Sequence, residues 1–283
     1  MTLPASFARD FGPPVAKRFR GILIGTEGRA NTGKTEFALS APGPILVLAL
    51  DRQEQPCLDN PEPPPTRRED FRIVPIEMAM ATATPQALSQ TIWANFYMHF
   101  YMKALGNADV RTVVIDGDSD GFECQMMAEF GRTTQIPQIQ RTSLNAARRS
   151  YIARAVSSGK VVLMTNKVKK QYETVYDPVT GAPVPDPQNP NQSKREWDGK
   201  SYERQGWNDH EYGYGIQLRH LYKEPYVNKK GVEMPPSWGI QILMCKSNRK
   251  LEGDELWGSD CNVQTLLEYV YPNIPVSEWG YTD

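Results

Sequence analysis

Gly28-Arg29-Ala30-Asn31-Thr32-Gly33-Lys34-Thr35 is the stretch that decides how this chain is built. It fits the pattern G-x-x-x-x-G-K-[ST]. There, backbone N–H groups wrap the β- and γ-phosphates of a nucleotide, the lysine neutralises γ-oxygens and the final hydroxyl joins a Mg²⁺ shell. The pattern has meaning with a strand before it and a helix after it. Gly21-Ile22-Leu23-Ile24-Gly25 is short and apolar, and Thr35-Glu36-Phe37-Ala38-Leu39-Ser40 reads as the first turns of a helix, whose amino terminus adds positive potential. Asn31 stands where a third glycine is common, and asparagine tolerates left-handed backbone better than most residues. The competing reading is an ordinary glycine-rich strand-to-helix turn. The spacing favours ATP and Mg²⁺ as ligands, held by Gly28 through Thr35 and by Glu36.

At 283 residues the chain suits one large domain or a domain with appendages. Its net charge of −1 gives no global sign of a nucleic-acid partner, so any polyanion site has to be a local patch. Cys57, Cys124, Cys245 and Cys261 lack C-x-x-C spacing and read as reduced thiols; His99, His210 and His220 form no ligand pattern, and no structural zinc is expected. No apolar leader and no run of membrane-spanning length is present, so the expectation is a soluble, cytoplasmic protein with no membrane partner.

Residues 1–20, with Pro4, Pro13, Pro14 and Lys17-Arg18-Phe19-Arg20, read as an extended arm that Phe7 and Phe11 could anchor on its own core or on a neighbour. A core over 21–255 and a C-terminal helix and tail over 256–283 complete the expected organisation. Within the core, Ile45 to Leu50 is of strand type and ends at Asp51, and 52–70 is polar and Pro-rich like a loop. Residues 71–76 form a third strand, with Pro75 implying an edge or a bend. Residues 85–105 are helical, with Leu88, Ile92, Phe96 and Phe100 on one core-facing stripe. Arg111 to Asp116 is a β-branched strand, 121–130 and 139–157 are helices, and Lys160 to Thr165 is a further buried strand. This alternation predicts an α/β fold, a mostly parallel sheet with helices on both faces. Its ligand edge would gather the loop, Asp51, Asp116 and Asn166. Residues 168–205 read as one long functional or solvated loop. The runs 215–222 and 238–245 alternate as an antiparallel hairpin, and 262–271 as a helix with Val263, Leu266, Leu267 and Val270 inward.

Asp116 ends an apolar strand, the position from which a carboxylate holds Mg²⁺ beside a phosphate loop, or alternatively a plain capping aspartate. Gly117 follows it, so no base stands directly after the metal strand; Asp118 is a substitute off the usual line. The other place for a water-activating carboxylate is the end of the strand after the loop helix, where Asp51 stands with Glu54 one turn on.

With these residues the chain resembles the RecA-like ATPases, and more narrowly the short, core-only recombinases of bacteriophages that act as ATP-binding single-strand annealing proteins. The resemblance spans roughly residues 21–255. It rests on the phosphate loop followed by Ala41-Pro42-Gly43-Pro44-Ile45-Leu46-Val47-Leu48, on Val113 to Asp116, and on Met164-Thr165-Asn166-Lys167. It implies a γ-phosphate sensor at Asn166 and Lys167, the lysine departing from the usual glutamine. It also implies Lys246 and Arg249 reaching the site of the adjacent subunit in a ring or filament, and residence in a bacterial host's cytoplasm. Two DNA-contacting loops follow from it, near Gly131 to Arg141 and over 168–205. The single-strand contacts would then be Arg132, Arg141, Lys169, Lys170, Tyr172, Lys194, Arg195, Trp197, Lys200, Tyr202 and Arg204, cations for phosphates and rings for bases. Glu173, Asp177, Asp186, Glu196, Asp198 and Glu203 cancel that charge, which leaves a solvated insertion or a subunit contact open. Asp51 is one methylene shorter than the family's glutamate, which disfavours brisk hydrolysis. Beside a DNA-annealing ATPase stand two other functions: a small-molecule phosphotransferase with 168–205 as its lid, and a slow-turnover nucleotide-dependent regulatory or assembly protein.

Overall fold

The computed structural model describes residues 21–50, 71–75, 84–188, 192–205, 207, 213–227 and 231–281. Strand β1 (Ile22–Gly28) is buried at all seven positions, as a central parallel strand covered on both faces must be. It feeds the glycine-containing loop 28–33 and a short helix α1 (Lys34–Leu39), then β2 (Ile45–Ala49) and β3 (Phe71–Pro75). A helical stretch follows in three pieces: α2 (Pro85–Ala94), a π-helical segment Asn95–Tyr101, and α3 (Met102–Gly106). Next come β4 (Thr112–Asp116), α4 (Asp118–Phe130), α5 (Arg141–Ser157), β5 (Val161–Thr174) and β6 (Arg195–Arg204). The chain then forms β7 (Ile216–Lys223), β8 (Tyr226–Val227), β9 (Glu233–Met234), β10 (Ser237–Cys245), β11 (Glu255–Trp257) and α6 (Val263–Val270).

Among the described residues the main sheet runs β11-β10-β7-β1-β5-β4-β2-β3, with β6 paired to the far part of β5. The pairs from β3 through β7 along this path are parallel, while β10 runs antiparallel to β7 and β11 antiparallel to β10. The fold is therefore α/β, with a mostly parallel central sheet and an antiparallel extension.

Strand alternation divides the core. Ile22 and Ile24 of β1, Val114 of β4, Val161 and Leu163 of β5 and Ile216 and Leu218 of β7 pack with Phe37 of α1 and with α6. Leu23, Val113, Ile115, Val162 and Met164 face the opposite way, onto α2, α4 and α5. These two faces decide which polar residues meet beside the loop that follows β1.

Several expectations hold. Among the described residues β3 is the last strand on its side of the sheet, the position in which a sheet tolerates Pro75. Val263, Leu266, Leu267 and Val270 are the buried residues of α6, which Asn262 caps by accepting from the Thr265 N–H at 2.8 Å. Others need correction. Residues 168–205 are not one long loop, because β5 continues to Thr174 and pairs antiparallel with β6, with bridges at Tyr176–Pro183 and Pro185–Ser193 beyond. A ribbon exposed on both sides needs no apolar alternation, and that is why its composition resembles a loop. In the helical stretch Ile92 and Phe96 are buried as expected, but the wider π turn brings Tyr101 rather than Phe100 fully inside. β11 straddles the expected boundary at 255/256. The arm over 1–20, the loop over 52–70, and Asp51 and Glu54 lie outside the described residues. Among the described residues no helix is long and apolar enough to cross a membrane.

Candidate functional site

The loop between β1 and α1 has the backbone its sequence calls for. Asn31 and Gly33 adopt left-handed φ angles of 60° and 80°. Left-handed residues within such a turn let successive N–H groups converge into a concave anion seat. Gly28 has no room for a side chain: a Cβ there would lie 2.7 Å from Thr32 Oγ1 and 2.9 Å from the His220 Cβ. Thr32 Oγ1 donates to the Arg29 carbonyl at 2.8 Å, and the Lys34 ammonium donates to the carbonyls of Gly28 (3.0 Å) and Arg29 (2.6 Å). Lys34 is thus held over the loop by its own backbone, while Arg29, Ala30, Asn31 and Glu36 are exposed and Thr35 is half-buried.

Beside the loop, β4 and β5 bring hydroxyls onto one carboxylate. Thr35 Oγ1 donates to Asp116 Oδ2 at 2.8 Å, Thr165 Oγ1 donates to Asp116 Oδ1 at 2.6 Å, and the Gly117 N–H donates to Thr165 Oγ1 at 2.9 Å. Asp116 is 1 % exposed. A hydroxyl and a carboxylate that meet across 81 residues of sequence form a hard-oxygen pair of the kind Mg²⁺ takes. Mg²⁺ keeps waters and draws further oxygens from substrate phosphates, so one protein carboxylate and one hydroxyl suit it. Among the described residues no group of three or more His, Cys, Asp or Glu side chains is placed to hold a metal by itself.

The two residues expected as sensors, Asn166 and Lys167, part company. Lys167 pairs in register with Gly28, and its ammonium sits on Asp120 at 2.7 Å. Asn166 points to the other face of the sheet, buried, with its amide 3.4 Å from the hydroxyl of Tyr214. The β5 side chain facing Asp116 is Thr165, which strand alternation from Val161 and Leu163 could have identified. Asp118 is not a base at the loop. It accepts from Arg148 at 2.6 Å and from the Tyr151 hydroxyl at 3.3 Å, with carboxylate and guanidinium both buried. Burial, reinforced by the Asp118 charge, raises the Tyr101 and Tyr151 hydroxyls well above the usual phenol range.

Two further residues frame the loop from beneath. His220 of β7 is buried, its Nδ1 3.2 Å from the Thr32 carbonyl and its ring edge-on to Phe37 at 5.3 Å. Burial, with Lys34 adding to it, lowers its pKa to about 3. The imidazole is neutral at pH 7, and its Nδ1–H donates to Thr32. On the opposite face Glu27, buried immediately before the loop, accepts from Arg219 at 2.6 Å and Arg204 at 3.0 Å. An acid inside an apolar strand is visible in the sequence; its partners lie 177 and 192 residues away and are not.

The expected DNA contacts disperse. Arg204 is committed to Glu27, and Tyr202 lies under the Arg29 guanidinium, 5.7 Å from ring centroid to charge. On the ribbon, Lys169 pairs with Glu203, Lys194 with Glu196, and Arg195 donates to the Tyr172 carbonyl at 2.8 Å. Lys170 and Tyr172 are exposed; Arg132 and Arg141 lie apart from them, exposed at the ends of the segment between α4 and α5. The side chains of Trp197 and Lys200 lie outside the described residues. Lys246 and Arg249 follow β10, which runs antiparallel to β7 and so ends at the edge of the sheet away from the loop. Within one chain they do not meet the site. No protein-family profile matches the chain, and no curated protein is significantly similar to it.

Proposed function

We propose that this chain is a RecA-like, ATP-binding protein that uses Mg²⁺ at the Thr35–Asp116 pair and binds single-stranded DNA to promote annealing or strand exchange. One observation carries the nucleotide reading: the loop's Thr35 hydroxyl lies on the Asp116 carboxylate at 2.8 Å, beside a loop with two left-handed residues and a lysine drawn over it. In this reading Lys34 and the loop N–H groups bind the β- and γ-phosphates, and the bound metal offsets phosphate charge. Thr165 holds the Asp116 carboxylate in the orientation that Thr35 meets. Lys167 stands at the loop's shoulder.

The DNA reading rests on different residues. The ribbon of β5 and β6 leaves the sheet next to the loop and carries the exposed Lys170 and Tyr172. Its ion pairs make it a polar and aromatic surface rather than a cationic funnel, so single-strand binding there depends on stacking as well as charge. The phosphotransferase reading has less to rest on, because Arg204 is engaged by the buried Glu27 and Arg195 donates to the Tyr172 carbonyl on the ribbon. Lys246 and Arg249, at the far edge of the sheet, suit a site completed by the next subunit in a head-to-tail ring or filament.

Isothermal titration with Mg²⁺–ATP, paired with salt-dependent binding to an oligo-dT strand, tests both halves. Lys34→Ala should abolish measurable ATP binding, and unaltered affinity would overturn the loop assignment. Wild-type protein that takes up ATP but shows no salt-sensitive oligo-dT binding would retain the nucleotide function and lose the DNA function.

A further inference from the structure

On the α1 face of the sheet, β7 and β10 place two aromatic rings in contact with each other, one of which, Trp238, meets the phosphate loop. The strands' register sets Trp238 directly opposite Tyr222, two residues along, and so on the same face, from the pair formed by His220 and Ile240. His220 and Ile240 are buried, whereas Tyr222 is 41 % exposed and Trp238 44 % exposed. The two ring centroids lie 5.7 Å apart at an interplanar angle of 48°. Scattered exposed rings are ordinary on protein surfaces, but two in contact beside a binding loop form a patch that asks for a partner.

Trp238 is also fixed to the loop itself. Its Nε1–H donates to the Asn31 carbonyl at 3.4 Å, and a Cβ built on Gly33 would stand 3.6 Å from its Cδ1. The indole therefore meets the loop by its edge, and this contact leaves ring surface open to solvent. Other rings nearby are differently engaged. Tyr202 carries the Arg29 guanidinium over its ring, and Trp257 carries the Lys223 ammonium at 3.4 Å. On the other side of the loop, Asp116, Thr35 and Thr165 form the polar, metal-suited corner.

We propose that Tyr222 and Trp238 form the nucleobase platform of this site, so that its ligand is a nucleoside triphosphate rather than a bare polyphosphate or a phosphorylated sugar. The proposal rests on the reading of the loop as a triphosphate cradle. A base joined through its ribose to phosphates in the loop brings a flat π-face beside the Trp238 ring, which meets Asn31 and Gly33, and beside Tyr222, which packs on that ring. Stacking on such rings contributes affinity without requiring a donor or acceptor pattern.

Titration calorimetry in Mg²⁺, comparing ATP with inorganic tripolyphosphate, separates the platform from the cradle. Wild-type protein should prefer ATP by about 10-fold or more, the range expected for one stacked base. Trp238→Ala should lose that preference: ATP affinity falls about 10-fold while tripolyphosphate affinity stays within about twofold. Trp238→Phe, which keeps a ring but removes the N–H donor, should restore most of the ATP affinity. Tyr222→Ala should show a smaller loss of the same kind, and it serves if Trp238→Ala fails to fold. Retention of the full ATP preference in both alanine variants would overturn the platform. An equal loss for both ligands in Trp238→Ala, unrescued by phenylalanine, would overturn it too and make the indole a positioner of Asn31. Wild-type protein binding both ligands equally leaves the cradle and removes the platform; binding neither removes the cradle itself.

Discussion

Asp116 and Asp118 are two residues apart, equally buried, and embedded in opposite kinds of surroundings. Asp116 ends β4 on the α1 face and accepts from the hydroxyls of Thr35 and Thr165. Asp118 begins α4 on the other face and accepts from the buried guanidinium of Arg148, which packs over the rings of Phe122 and Tyr151. Glu27 belongs with Asp118, since it too faces away from α1 and is held by two arginines. A hydroxyl orients a carboxylate without cancelling its charge, whereas a guanidinium does both. The difference separates a carboxylate that can be rebuilt around a cation from carboxylates that are parts of the frame.

Three measurements press on that contrast, the largest effect first. Arg148→Ala leaves the Asp118 charge buried without its main partner and should cost about 3–5 kcal/mol in urea unfolding. Asp116→Asn replaces a carboxylate held by hydroxyls and should cost only about 1–2 kcal/mol, while the Mg²⁺-dependent share of ATP affinity disappears. Equal stability losses in the two variants would erase the distinction between frame and site. The third measurement concerns His220, whose folded pKa of about 3 lies below the ordinary 6.5. Between these values the unfolded chain binds more protons than the folded one, so stability is fully present above pH 6.5 and is lost as pH falls toward 3. The slope this group adds is at most about 1.4 kcal/mol per pH unit. Wild type should lose stability relative to His220→Asn over that window, and parallel unfolding curves would mean that the imidazole charges freely beneath the loop.

What could be read in advance follows the range of the forces involved. The strand, loop and helix around Gly28 to Thr35, the strand end at Asp116 and the inward face of α6 are local patterns. Asn31 took the left-handed turn that its short polar side chain permits. The hydroxyl of Thr165 required only the two-residue period of a strand, once its neighbours were known to be core. The arginines on Glu27 and the indole on Asn31 required the sheet order first, since nothing near residue 27 or 31 announces residues 204, 219 or 238. The ribbon was hidden for another reason. Its backbone is satisfied by a partner strand and its charged side chains by one another across an exposed surface, so no hydrophobic rhythm marks it.

β5 is fourteen residues long, and only its first part lies in the core. From Val168 to Thr174 it runs on as one rail of the ribbon, about 23 Å at the rise of an extended strand. It behaves as a cantilever whose root is the middle of the sheet. Lys167, in register with Gly28, is the last residue before the overhang. A sideways load at the tip of such a lever would bear on its root, which is paired in register with the strand that leads into the loop 28–35, and the register shift between Lys170 and Tyr172 gives the lever a twist as well as a length.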